Sequence, residues 1–122
     1  MNRTLKLQVK DNEYSIDYPN TGSQIDIELL KAKIADGNYD ALRFSNNPLF
    51  QKQADVIDVI STFTILVPTL KQQLNVKSFF ELQEDQMNVL IECYTSQFIP
   101  WYIEIKKSLQ PAVKQPKDQL TE

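Results

Sequence analysis

Between Leu82 and Gln110 the apolar residues recur at steps of three and four: Met87, Leu90, Ile91, Tyr94, Phe98, Trp101, Ile105 and Leu109. That spacing lays them along one face of a helix. The polar residues between them, Glu92, Gln97, Glu104 and Lys106, fall mostly on the other side. A stripe this long has to be covered, so the remaining elements are expected to pack against it as a core or to leave part of it as an interface. The helix should open near Gln83, with Glu84 and Asp85 in a first turn where carboxylates suit the dipole. Pro100 falls inside the pattern, lacks a backbone donor and crowds the carbonyl of Ser96, so a kink or break is expected there. Beyond it, Trp101, Tyr102, Ile103 and Ile105 put apolar groups on more than one face. With Phe98, these four form the candidate protein-interaction surface.

The stripe's first partner is legible at the other end of the chain. Leu5, Leu7 and Val9 alternate with polar residues, and after Asp11-Asn12 the alternation resumes at Tyr14, Ile16 and Tyr18. This is a β-hairpin pattern. A two-residue Asp11-Asn12 turn would pair Lys10 with Glu13, Val9 with Tyr14, Leu7 with Ile16 and Leu5 with Tyr18. All six apolar side chains then share one face. A lone hairpin is marginal in water, so this face must lie on helices, on further strands or on another copy of the chain.

Pro19 ends the second strand, and Asn20-Thr21-Gly22 reads as a turn. Ser23 with Asp26 resembles a capping box and opens a helix to about Asp36, with Gly37 at its C′ position. Its apolar face is Ile27, Leu30 and Ile34, widened by Ile25, Leu29 and Ala32. A short helix or turn over 38–44 carries Tyr39, Leu42 and Phe44 inward. Asn47-Pro48 pairs an N-cap with a first-turn proline, and Leu49, Phe50, Ala54, Ile57, Ile60, Phe63 and Val67 follow at helical spacing. The β-rich run TFTILV, Thr62 to Val67, leaves helix and strand both open until Pro68. A brief turn carries Leu70 and Leu74, and Ser78 with Glu81 is a further capping-box pattern. The expected fold is α+β: an N-terminal β-hairpin on three to four α-helices, the last long and kinked. Residues 1–110 form one domain, and PAVKQPKDQLTE over 111–122 is a polar tail.

Composition narrows the function by exclusion. Histidine is absent, which removes the commonest general base and metal ligand. One cysteine, Cys93, admits no intrachain disulfide and no thiolate zinc cage, and reads as a small buried thiol, fitting a reducing compartment. Two glycines are too few for a phosphate loop. The densest acidic groups are Glu81, Glu84 and Asp85, then Asp36 with Asp40; the first reads as a solvated, dipole-matched helix start. No catalytic, cofactor-binding or metal residue is therefore assigned, and an enzyme is not expected. A net charge of −3 with no basic cluster argues against nucleic acid and against an anionic membrane surface. No secretory signal is expected from MNRTLKLQVKDNEYS, and no apolar run approaches the length of a membrane span.

The stretch EYSIDYP followed by IDIELLKAKIADGNYDAL, about Leu5 to Leu42 in all, resembles small tailed-bacteriophage morphogenesis proteins. In particular it is similar to tail assembly chaperones, in which a short hairpin with an aromatic strand feeds into helices. The resemblance implies a non-enzymatic protein that acts by protein–protein contact, with other phage structural or assembly proteins as partners. In the chaperone reading its surfaces hold the apolar helices of a tape-measure protein until the tail polymerises. It also implies a location in the cytoplasm of the infected host, or in the virion for a retained head, neck or tail component. A small regulatory or inhibitor module binding one host protein is the alternative from another class.

Overall fold

The computed structural model describes residues 3–110. The tail expected over 111–122 lies outside them. Within them the chain is α+β: strands β1 (Thr4–Val9) and β2 (Asn12–Asp17), then helices α1 (Thr21–Ile34), α2 (Tyr39–Arg43), α3 (Pro48–Leu66) and α4 (Leu70–Gln73). A 3₁₀ turn (Phe79–Glu81) leads into α5 (Glu84–Cys93), a π-helical turn (Tyr94–Phe98) and α6 (Ile99–Leu109). No helix among the described residues is long and apolar enough to cross a membrane.

The hairpin forms, in a register two residues away from the expected one. Val9 pairs with Asn12, Leu7 with Tyr14 and Leu5 with Ile16, so the turn residues are Lys10 and Asp11. Lys10 takes the left-handed conformation, with φ of 55°. A slip of two leaves every side chain on its original face, which is why Leu7, Val9 and Ile16 are still the buried residues. Leu5 and Tyr14 lie half-buried at their side. Cross-strand contacts select the observed register: Thr4 donates to Asp17 Oδ1 at 2.9 Å, and the Lys6 ammonium donates to Ser15 at 3.2 Å. Tyr18 lies past the strand end, where its N–H meets the Arg3 carbonyl at 2.8 Å.

Helix α1 begins three residues earlier than expected. Asn20 is the N-cap and accepts from the Ser23 N–H at 2.8 Å, so Ser23 is already inside the helix. Its C-terminus is a Schellman arrangement displaced by one residue from the expected cap. Asp36 (φ 52°) takes the C′ place and Gly37 (φ 77°) the next, with Gly37 N–H to Ala32 O at 2.9 Å and Asp36 N–H to Lys33 O at 3.2 Å. Ile27 is buried, but Ile25, Leu29 and Ala32 face outward, so the apolar face is narrower than expected. Phe44, expected inside, is 78% exposed.

Helix α3 is the hub. Asn47 caps it by accepting from the Leu49 N–H at 2.9 Å, and Pro48 starts it. It packs against α1 and α2 and also against α5 and the 3₁₀ turn. Five consecutive residues, Val59, Ile60, Ser61, Thr62 and Phe63, are buried. A helix turn buried all round needs no polar face, and α3 carries the run TFTIL as helix through Leu66, with Val67 as its C-cap, despite the β-branched residues. The Ser61 hydroxyl, with no water to reach, donates to the Ile57 carbonyl at 2.7 Å.

The C-terminal helix runs without a break from 84 to 109, and Pro100 is accommodated by the turn before it. Over Tyr94–Phe98 the helix widens, and the Ile99 N–H donates to Tyr94 O, five residues back. That change of pairing rearranges the carbonyls that would otherwise meet the proline ring. It also shifts the buried stripe: Met87, Leu90 and Cys93 step by three, then the next buried residue is Phe98, five on.

Candidate functional site

The widened turn places side chains that a regular helix would direct elsewhere. Gln97 reaches the β1 edge and binds both main-chain groups of Gln8: Gln8 N–H donates to Oε1 at 2.7 Å, and Nε2 donates to Gln8 O at 2.8 Å. The Cys93 thiol lies 3.4 Å from the same carbonyl. Burial first, then the nearby Glu92 charge, pushes that thiol's pKa up, so it is a poor nucleophile.

Along the same helix runs an aromatic ladder. Tyr94 stacks on Phe98 (centroids 5.3 Å), Phe98 on Tyr102 (5.4 Å) and Tyr102 on Tyr18 of the hairpin (5.2 Å), with interplanar angles of 14–17°. Trp101 closes against its flank, edge-on to Tyr18 at 6.0 Å and tilted on Phe98 at 5.7 Å. One side of the ladder borders a cleft of ≈ 370 Å³ between α1, α3 and α6, with Lys31 and Lys106 among its lining residues. The Lys106 ammonium lies 5.7 Å from the Tyr102 ring centre. Burial, reinforced by the Asp58 charge, raises the Tyr94 phenol well above its ordinary value.

Behind the cleft lies a polar network that ties α1 and α2 to α3. The Tyr39 hydroxyl sits 2.8 Å from both carboxylate oxygens of Asp58, and Arg43 Nη2 is 2.7 Å from Oδ2. Arg43 also pairs with Asp55 at 2.9 Å and donates through Nε to the Tyr39 hydroxyl at 3.1 Å. Lys31 pairs with Asp58 at 3.4 Å and with Glu28 at 3.2 Å, its ammonium 4.7 Å from the Tyr39 ring centre. Burial alone would lower Lys31 and Arg43, but their polar and charged partners outweigh it and both rise. Tyr39 is raised, chiefly by burial. These shifts carry Lys31, Tyr39, Arg43 and Tyr94 further from neutral pH, away from the range in which a general acid or base is effective. Among the described residues, no group of three or more His, Cys, Asp or Glu side chains is placed to hold a metal ion. The sequence reading singled out Asp36 and Asp40 and passed over this network. The available signal was Asp55 and Asp58, two acids three apart in the otherwise apolar α3 pattern.

Of the five residues proposed as an interaction surface, Phe98 and Ile105 are core side chains, at 3% and 1% exposure. Trp101 and Tyr102 are half-buried in the ladder. Only Ile103 is exposed. Tyr18, just past the hairpin's second strand, covers Trp101 and Tyr102 on the second apolar face of α6, while Ile103 and Leu109 stay exposed. Most of the exposed apolar surface lies elsewhere. Phe44, Leu49 and Phe50 stand out within seven residues around the start of α3, Phe80 is exposed in the 3₁₀ turn before α5, and Ile25 and Leu29 mark the outer face of α1. Compared with known proteins, the chain matches no family model, no curated protein and no solved structure.

Proposed function

We propose that the protein is non-enzymatic and works by holding another protein, as an assembly factor of the tailed-phage kind. The observation that carries this reading is the exposure of Phe44 and Leu49, at 78% and 72%, on either side of the Asn47-Pro48 helix start. Large apolar side chains gathered at a rigid capped corner mark protein contact sites. The ion network beneath them, Arg43 with Asp55 and Asp58, holds α2 against α3 and so fixes that corner. The resemblance of Leu5 to Leu42 to tail assembly chaperones adds the class of partner, the apolar helices of a tape-measure protein, and a place in the infected cell or the particle.

The genes beside this one should then encode portal, tail-tube or tape-measure proteins. Co-expressed with that tape-measure protein, the wild-type chain should co-elute with it, and Phe44→Asp should not. Neighbouring genes of unrelated function, or co-elution indifferent to Phe44→Asp, would refute the reading. Mass spectrometry of purified particles separates a factor that departs from a component that stays.

A further inference from the structure

A second surface borders that corner and shares Leu49 with it, but it is formed by other residues. Between α3 on one side and the 3₁₀ turn with α5 on the other runs an open groove of ≈ 330 Å³. Its floor is apolar, built from Val56, Ile60 and Met87. Lys52 stands on the α3 wall and Glu84 on the α5 wall. Neither forms an ion pair among the described residues. Phe80 rises from the α5 wall at 64% exposure. Leu49 lies two turns before Val56 on the same face of α3, equally uncovered.

We propose that this groove is a two-fold interface and that its occupant is a second copy of this chain. Each wall carries what the opposite wall lacks: one has a cation and an aliphatic side chain, the other an anion and an aromatic one. A two-fold axis parallel to the groove exchanges the walls. It brings Phe80 of each copy over the Leu49–Val56 face of the other, and Lys52 of each copy beside the other's Glu84. An axis across the groove would set Lys52 on Lys52 and Glu84 on Glu84, so charge selects the first arrangement. An isologous contact of this type needs only a self-complementary patch, which this groove with its bordering aromatic knob provides.

The test is the solution mass of the full chain by sedimentation, from about 1 to about 500 μM, a range spanning the affinities of small interfaces. The wild type should approach twice 14.2 kDa within it. Phe80→Asp should weaken association about a hundredfold, as loss of an aromatic anchor does. Lys52→Glu and Glu84→Lys should each weaken it about tenfold by setting like charges together. The double swap Lys52→Glu/Glu84→Lys should return to within about threefold of wild type, since both pairs are rebuilt in reverse. A far-UV thermal scan confirms that each variant is folded, and if Phe80→Asp is not, the charge variants decide alone. A wild-type monomer throughout the range overturns the proposal, as does a dimer indifferent to these substitutions. A dimer that both single charge variants break and the double swap does not restore overturns it as well.

Discussion

Trp101→Ala separates a residue that packs on the core from an interface residue, and the ring contacts place Trp101 against the core. Truncating a fully buried tryptophan to alanine costs about 3–5 kcal/mol. Trp101 is only half-buried, so roughly half of that transfer contribution applies. Its edge contact with Tyr18 and tilted contact with Phe98 add back about 0.5–1.5 kcal/mol each. The expected loss is about 3 kcal/mol in urea unfolding followed by far-UV circular dichroism. For a domain of this length that lowers Tm by about 10 °C. The denaturant slope should not change, because the surface exposed on unfolding is nearly the same. Solution mass should not change either, since the ring faces the hairpin and not a neighbour. Ile103→Ser is the internal control: its side chain is 45% exposed, so stability should move by less than about 0.5 kcal/mol. A Trp101→Ala variant that loses under about 1 kcal/mol of stability while its assembly state changes would show that the ladder is an interface after all.

Two further substitutions address the polar network and the buried phenols. Asp58→Ala removes the acceptor shared by Tyr39, Arg43 and Lys31, but Asp55 and Glu28 still neutralise the two cations, so the expected loss is about 2–3 kcal/mol. Asp58→Asn keeps an acceptor for Tyr39 and should lose about half as much; an alanine variant within about 0.5 kcal/mol of wild type in urea would mean the network contributes nothing net. The phenols of Tyr14, Tyr18, Tyr39 and Tyr94 are all raised, chiefly by burial, and Lys31 is raised by its acidic partners in spite of burial. A group that holds its proton more tightly when folded stabilises the fold below its unfolded pKa, near 10 here, and that stability is lost as pH climbs from there through the folded value. Tm should therefore be level through about pH 9 and fall between about pH 10 and 11, less steeply in Tyr94→Phe; a Tm unchanged at pH 11 would contradict the burial of these rings.

How much of this could be read without coordinates depends on what a hydrophobic pattern encodes. Alternation in 5–9 and 14–18 marks which side of the hairpin is buried, and that was legible. It is blind to a slip of two, because both registers put Leu7, Val9 and Ile16 on one face. The register rests on finer contacts, such as Thr4 with Asp17, and on Lys10 accepting positive φ, a choice that turn statistics would have given to Asp11 or Asn12. Helix α3 was legible because Asn47-Pro48 is a local signal. Its β-rich end was not, because the deciding fact is enclosure on every side, which is a property of the fold and not of the window.

The second half of the C-terminal helix shows the same limit and its physical origin. Two apolar faces on one helix can mean an uncovered interface or a helix sandwiched within its own domain, and periodicity does not distinguish them. What decides is the Tyr94–Phe98 π turn. It brings Gln97 onto the β1 edge at Gln8 and aligns Phe98 and Tyr102 under Tyr18. The hairpin docks where it does because the helix is wound differently for one turn, and Pro100, expected to kink or break the helix, sits two residues past that turn. With Phe98 and Ile105 buried and Trp101 and Tyr102 half-covered, the most exposed apolar side chains lie at the end of α2, the start of α3 and the 3₁₀ turn, at Phe44, Leu49 and Phe80. Phe44 reads as an inward position and Leu49 falls at the helical spacing of the α3 core residues, so neither pattern marks them as exposed. Phe79 and Phe80 make the point most simply: adjacent, chemically identical, and 1% against 64% exposed. Which of two neighbouring phenylalanines faces the core is set by where a 3₁₀ turn of three residues meets α3, and no pattern of apolar residues carries that angle.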